Sequence, residues 1–317
     1  MRIAILDDYQ NCALSMADWS PVEKDCEITV FNDHLSDEDE IAARLADFEI
    51  VCAMRERTRF GKSQLAKLPK LKLLISSGMR NRSFDVAAAA ERGIVCCGTP
   101  SVGAPTTDIA WGLIIGLLRN IPKEDAAVRR GEWQSTVGPG LHGKTLGIAG
   151  LGKLGSKMAT IGKAFDMDVI AWSQNLTQAR CDEFGVGLVT KEELMRRSDV
   201  ITIHLILSDR TRGAIGRNEL ALMKPGAILV NTSRGPIVDE AALVDALERR
   251  AIRGAGLDVY GTEPLPADSP FRRLENTVVT PHLGYVEESN YRAYFNGYIA
   301  AIRGFLDGNP VNVMSAD

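Results

Sequence analysis

The sequence predicts an α/β protein made of two doubly wound parallel-sheet domains. Short apolar runs alternate with amphipathic stretches from the first residue onward, which is the pattern of βαβ units. A second series of the same kind opens after a long apolar helix in mid-chain. The length of 317 residues also suits about two domains.

In the first series RIAIL, CEITVF, EIVCAM, LKLLIS and GIVCCG read as strands, and DEDEIAARLADF, KSQLAKLPK and DVAAAAERG as helices. It ends near Thr99 and Pro100. A helix follows from Pro105 to Ile121, punctuated by Pro122 and Lys123, and GEWQSTVGPGLHG reads as loop. The second series then sets TLGIAG, MDVIAW, VITIHL, AILVNT, GAGLDVY and VVTPHLG as strands. Its helices include LGSKMATIGKAF and DEAALVDALERR, and Thr190 with Glu193 forms a capping-box pattern. Tyr291, Phe295, Tyr298, Ile302 and Phe305 recur at helical spacing, so the last helix has one buried face, and DGNP ends it.

Lys plus Arg number 37 against 41 for Asp plus Glu, a net charge of −4. Such a balance argues against a nucleic-acid or membrane-surface binder and leaves room for a local basic pocket. The apolar stretch Ile109–Leu118 is too short to span a bilayer, and no secretory leader is expected. The six cysteines lack CxxC spacing, which suits free thiols in a cytoplasmic protein, with Cys96 and Cys97 in a strand. The four histidines lack ligand spacing, so no metal is expected.

The strongest local signal is Gly150, Gly152 and Gly155 in GLGKLG, set between a strand and a helix. The first glycine permits a tight turn, the second lets backbone approach a pyrophosphate, and the third lets helix pack on strand. The helix N-terminus then offers N–H groups and a positive dipole end to phosphate. Selectivity for NAD calls for a carboxylate at the end of the next strand. That strand ends in Ser173, Gln174 and Asn175, so the choice of dinucleotide stays open.

With GLGKLG, NTSRGPIVDEAAL, GLDVYGTEPLP and TPHLG in this order, the chain resembles the D-isomer-specific 2-hydroxyacid dehydrogenases over nearly its whole length. The resemblance implies a Rossmann NAD(P)-binding domain, 101–285, inserted into a flavodoxin-like substrate-binding domain, 1–100 and 286–317. It implies hydride transfer between a nicotinamide cofactor and C2 of a D-2-hydroxy or 2-oxo acid. The family's catalytic trio falls on Arg234, Glu263 and His282. Arg234 is a permanently charged fork suited to a carboxylate and a polarised keto oxygen. His282 can exchange the C2 hydroxyl proton, and Glu263 can accept from the other ring nitrogen. Further cofactor contacts implied are the Lys153 and Leu154 amides at pyrophosphate, Leu205 beside adenosine, Thr232 beside nicotinamide, and Asp258 at the carboxamide. His34 reads as a surface residue, and His204 as structural, near the adenine side.

The substrate loop departs from the family pattern. Gly78-Met79-Arg80-Asn81-Arg82-Ser83 has Arg80 for the second glycine and Arg82-Ser83 for the usual Asp-Asn pair. The resemblance gives the Met79 and Arg80 amides to the substrate carboxylate. Arg55 lies in the other substrate-side segment, Met54–Thr58. Arg55 and Arg80 are expected to bind a distal anionic or polar group of a larger 2-oxo acid; the alternative is solvated charge, or pairing with Glu56 and Asp85. The competing function on this scaffold is a dinucleotide-sensing binding protein or corepressor, which the intact trio disfavours. A homodimer through the Pro105–Ile121 helix and the loop around Trp133 is expected, against full burial of that helix between the two domains of one chain. Because nothing after Trp172 repels a 2′-phosphate, NADP(H) is expected to be accepted at least comparably to NAD(H), with Arg180 able to fold back toward it.

Overall fold

The computed structural model describes residues 1–315; Ala316 and Asp317, at the end of the expected 286–317 segment, lie outside the described residues. The chain divides into two compact units, Met1–Gly103 with Glu287–Asp317, and Ala104–Val286.

The first unit holds five parallel strands: β1 (Arg2–Ile5), β2 (Glu27–Val30), β3 (Ile50–Ala53), β4 (Leu73–Ser76) and β5 (Val95–Gly98). Their order, β2-β1-β3-β4-β5, is the flavodoxin arrangement. β3 and β4 are buried throughout, which is why they read as unbroken apolar runs. The helix Glu288–Leu306 returns to this unit and buries Tyr291, Phe295, Tyr298 and Ile302 of the expected face; Tyr294 joins them, while Phe305, in the last turn, is only partly buried. The Tyr298 hydroxyl donates to the Ala53 carbonyl at 3.0 Å, so the buried phenol is satisfied.

The second unit holds seven parallel strands: β6 (Thr145–Ala149), β7 (Asp168–Trp172), β8 (Gly187–Leu188), β9 (Val200–Ile203), β10 (Ile228–Asn231), β11 (Gly254–Leu257) and β12 (Thr277–Val279). Their order is β12-β11-β10-β9-β6-β7-β8, the Rossmann order extended by one strand. It reverses between β6 and β9, and a crevice forms outside the carboxyl ends of strands at such a switch point.

The long apolar helix spans Thr106–Leu118 and buries Ala110, Trp111, Leu113, Ile114 and Leu117 in the core of its own unit, among Ile228 and Val230 of β10. The argument that this helix needs cover from a second chain therefore loses its basis. The helix stops at Leu118 rather than at the expected Ile121: Asn120 turns the chain at φ 54°, and a new helix, Ile121–Arg129, begins with Pro122 in its first turn. A missing N–H costs nothing at that position. Among the described residues, no helix is long and apolar enough to cross a membrane.

Candidate active site

The glycine loop folds as its spacing demands. Gly150 has φ +103°, and a Cβ there would lie 2.7 Å from the His204 carbonyl oxygen. A Cβ on Gly155 would lie 2.0 Å from the Gly150 carbonyl oxygen, so helix Lys153–Ala164 can approach β6 only through glycine. Gly152 is the N-cap of that helix with no side-chain cap, and a Cβ there would meet nothing within 4 Å. The first N–H groups of the helix thus face open space, where the dipole favours an anion.

That space is a groove of about 750 Å³ at the switch point. It brings together Gly150, Gly152, Lys153, Leu154, Ser173, Gln174 and Leu205 of the predicted cofactor set. Gly155 lies buried beneath it. Lys191, Arg210 and His204 also line it, and no carboxylate among the described residues does. Arg180 does fold back: its Nε donates to the Leu151 carbonyl at 3.4 Å. Two buried polar atoms along this edge, His204 Nδ1 and Thr232 Oγ1, have no hydrogen-bond partner among the described residues. Glycine cradle, free helix amides and these atoms fit a dinucleotide laid across the strand ends.

Farther along the same edge, the ends of β10, β11 and β12 carry the other predicted residues. Thr232 and Arg234 follow β10. Asn231 donates its Nδ2–H to the Arg234 carbonyl at 3.0 Å and accepts from the Ser233 amide at 3.0 Å, which fixes the turn. Arg234 is half-buried, and its Nη1 donates to the Ser233 carbonyl at 2.8 Å. Gly235 is pressed against the Tyr260 carbonyl, where a Cβ would lie 2.1 Å from its carbon. Only glycine lets the Arg234 turn abut the turn that carries Glu263.

Glu263 is held by the Tyr260 amide, which donates to its Oε1 at 2.9 Å. Its Oε2 lies 2.6 Å from His282 Nδ1, with both side chains one-fifth exposed. This short contact suits a charge-assisted bond and fixes the ring. His282 itself sits at φ +55°. Asp258 explains how the loop holds that conformation. It is fully buried, and it accepts from Thr280 Oγ1 at 2.6 Å and from the amides of Leu283 at 2.7 Å and Gly284 at 2.8 Å. Burial pushes its carboxyl up from the usual range, and these donors oppose the rise. The His282 loop is therefore pinned on both sides.

The predicted substrate residues belong to the first unit. Gly78 has φ +87°, and a Cβ there would lie 2.0 Å from Arg55 Nη1, so the guanidinium occupies the space over this glycine. Arg55 donates through its amide to Ser77 Oγ at 2.7 Å and through Nη1 to the Ser77 carbonyl at 3.1 Å. The amides of Met79 and Arg80 donate to no group among the described residues. Met79 and Arg80 are both exposed. Asp85 is engaged as a helix cap, accepting from the Ala88 amide at 2.9 Å.

Residues 111–284 match the family model described as the NAD binding domain of D-isomer specific 2-hydroxyacid dehydrogenases. The chain belongs to this family. It is 37% identical over 285 residues to the D-3-phosphoglycerate dehydrogenase of Methanocaldococcus jannaschii, covering 87% of this chain and 54% of that protein. It is 38% identical over 265 residues to the glyoxylate reductase of Thermococcus litoralis, covering 79% of this chain and 80% of that one. The chain thus spans about half of the first relative and most of the second. The crystal structure of a phosphoglycerate oxidoreductase from Vibrio cholerae superimposes with a TM-score of 0.92 at 35% identity, covering 97% of this chain and 99% of that one. The matched domain is the family's NAD-binding domain, and the residues that line the groove fall within it.

In this dehydrogenase-family chain the trio and the groove share one sheet edge, while Arg55, Met79 and Arg80 lie in the other unit. Sequence reasoning missed Asn81, which is buried and donates to the Arg55 carbonyl at 2.6 Å and to Ser76 Oγ at 2.9 Å. An Asn inside a glycine-led loop was its only signal. The reading of His34 as a surface residue is corrected: its side chain is 11% exposed, and Nδ1 lies 2.8 Å from Asp7 Oδ1. Asp7 also accepts from Thr58 Oγ1 at 2.8 Å, so the Arg55 segment is tied to the end of β1. A polar residue between loops gives no periodic sign of burial.

Proposed function

We propose that this protein is an NAD(P)-dependent D-2-hydroxyacid dehydrogenase that reduces 2-oxo acids. The observation that carries the proposal is the 2.6 Å contact of His282 Nδ1 with Glu263, on the sheet edge that also carries the dinucleotide groove. With Nδ1 facing Glu263, Nε2 is the ring nitrogen that exchanges a proton with the C2 oxygen. Glu263 accepts from Nδ1 and so fixes the ring while Nε2 gives up its proton. Arg234 takes the substrate carboxylate and polarises the keto oxygen. When bound, the nicotinamide supplies hydride to C2, or accepts it in the reverse direction. Hydride at C2 and a proton from His282 on oxygen complete the 2-hydroxy acid; oxidation returns the proton to His282.

Arg55, with the Met79 and Arg80 amides, is assigned to substrate anions. The free amides and a guanidinium already held over Gly78 support this. The exposed Arg80 is assigned to a distal anionic group of a larger 2-oxo acid. NADP(H) is taken at least as well as NAD(H), a reading supported by Ser173 and Gln174 in a groove without carboxylates. A homodimer is supported by exposed apolar side chains on the segment after Asn120, Trp133 at 77% and Val137 at 98% exposure. Six free thiols support a cytoplasmic setting.

The test is consumption of reduced cofactor across a panel of 2-oxo acids. Steady turnover that is lost in His282→Ala, with cofactor binding retained, is expected. Tight cofactor binding with no turnover of any acid would overturn the proposal.

A further inference from the structure

Four cationic side chains line the dinucleotide groove, Lys153, Arg180, Lys191 and Arg210, in a protein whose net charge is −4. They are not equivalent. Arg180 is paired with Glu183 and stacked 4.5 Å over the Phe184 ring. Lys191 is paired with Glu219 at 2.6 Å. Lys153 begins the helix whose amides face the pyrophosphate position. Arg210 is exposed and makes no hydrogen bond or ion pair among the described residues.

Arg210 also sits on a fixed support. It lies in the turn between Ser208 and Thr211, where the Ser208 amide donates to Thr211 Oγ1 at 2.7 Å. The Thr211 hydroxyl in turn donates to the Ile206 carbonyl at 2.7 Å. Strands β7 and β9 flank β6, so the segments after them form the two sides of the groove. Ser173 and Gln174 stand on the β7 side and Arg210 on the β9 side.

Building on the dinucleotide reading above, we propose that Arg210 selects the 2′-phosphate of NADP(H). A phosphate monoester carries about −1.5 to −2 charge near neutral pH, and a guanidinium can grip it through two parallel N–H bonds. Arg180 could serve only by giving up Glu183, and Lys191 only by giving up Glu219. Arg210 gives up nothing but water. The hydroxyl of Ser173 and the amide of Gln174 add neutral donors without a repelling charge. Selection of the phosphate thus comes from the loop after β9, not from the end of β7.

The test is titration calorimetry of wild type, Arg210→Ala and Arg180→Ala with 2′,5′-ADP and 5′-AMP. Wild type is expected to bind 2′,5′-ADP about ten- to hundredfold more tightly, the range of a charged hydrogen bond. Arg210→Ala should abolish that ratio while leaving 5′-AMP affinity nearly unchanged, and Arg180→Ala should keep it. Equal binding of the two nucleotides by wild type would overturn the proposal and leave the dinucleotide site standing. A ratio kept in Arg210→Ala and lost in Arg180→Ala would transfer the role to Arg180. No binding of either nucleotide would instead overturn the dinucleotide reading itself.

Discussion

Gly235 joins the two turns that carry Arg234 and Glu263, so Gly235→Ala tests whether that junction sets the site. The added Cβ would lie 2.1 Å from the Tyr260 carbonyl carbon and 2.3 Å from its oxygen. Non-bonded carbons rest at about 3.5 Å, so the turns must part by about 1.4 Å. The clash is with backbone on both sides, and no flexible side chain can yield. A misplacement of about 1 Å can cost about a hundredfold in rate. We therefore expect kcat/KM for the best 2-oxo acid to fall about a hundredfold. Overpacking should also cost about 1–3 kcal/mol of stability. The glycine loop and Ser173 lie at the ends of other strands, so the Kd for 5′-AMP should hold. Steady-state kinetics, 5′-AMP titration and thermal unfolding on the same preparation separate these effects. A folded Gly235→Ala variant with near-wild-type kcat/KM would refute the claim that this contact positions Arg234.

Three further outcomes are expected. Burial lowers the His204 pKa from 6.5 to about 4, so the folded state binds fewer protons than the unfolded state between those values. Stability should therefore fall as pH drops from 6.5 toward 4, by about 3 kcal/mol at about 1.4 kcal/mol per unit. Denaturant unfolding of His204→Asn should show a flatter slope over that window; an unchanged slope would contradict the assignment. Asp258→Ala strands three donors on the His282 loop, at about 1–3 kcal/mol each, and should lower both the unfolding midpoint and kcat. Wild-type kcat in that variant would show that Asp258 does not position His282. Arg55→Ala should raise KM for 2-oxo acids about ten- to hundredfold, without rescue by Arg55→Lys, because a lysine lacks the fork. An unchanged KM would remove Arg55 from the substrate site.

How much was legible in the sequence depended on how local the signal was. GLGKLG announced its own geometry, because all three glycine requirements arise within one strand–turn–helix. The trio could be placed only through its motifs, since the strands that precede Arg234, Glu263 and His282 become neighbours only in the folded sheet. Asp258 is the instructive case. The resemblance implied a cofactor contact for it, but its partners in the structure lie 22 to 26 residues away and only the folded β12 end reveals them. Arg210 escaped notice for a related reason: β9 joins β6 across the switch point, so the groove's second side is remote in sequence. His34 was misread because its partner Asp7 is 27 residues distant. Pro122 punctuates the sequence without opening a loop, because a proline suits the first turn of a new helix as well as the stretch after an old one.

The central claim is that this chain moves hydride between a nicotinamide and C2 of a 2-oxo acid. It is tested most directly with reduced cofactor carrying deuterium at both C4 positions. The product 2-hydroxy acid is then examined by mass spectrometry and chiral chromatography. The account predicts one deuterium, at C2, in the D-isomer, and no such product from His282→Ala. Product without deuterium at C2, or the L-isomer, would contradict it.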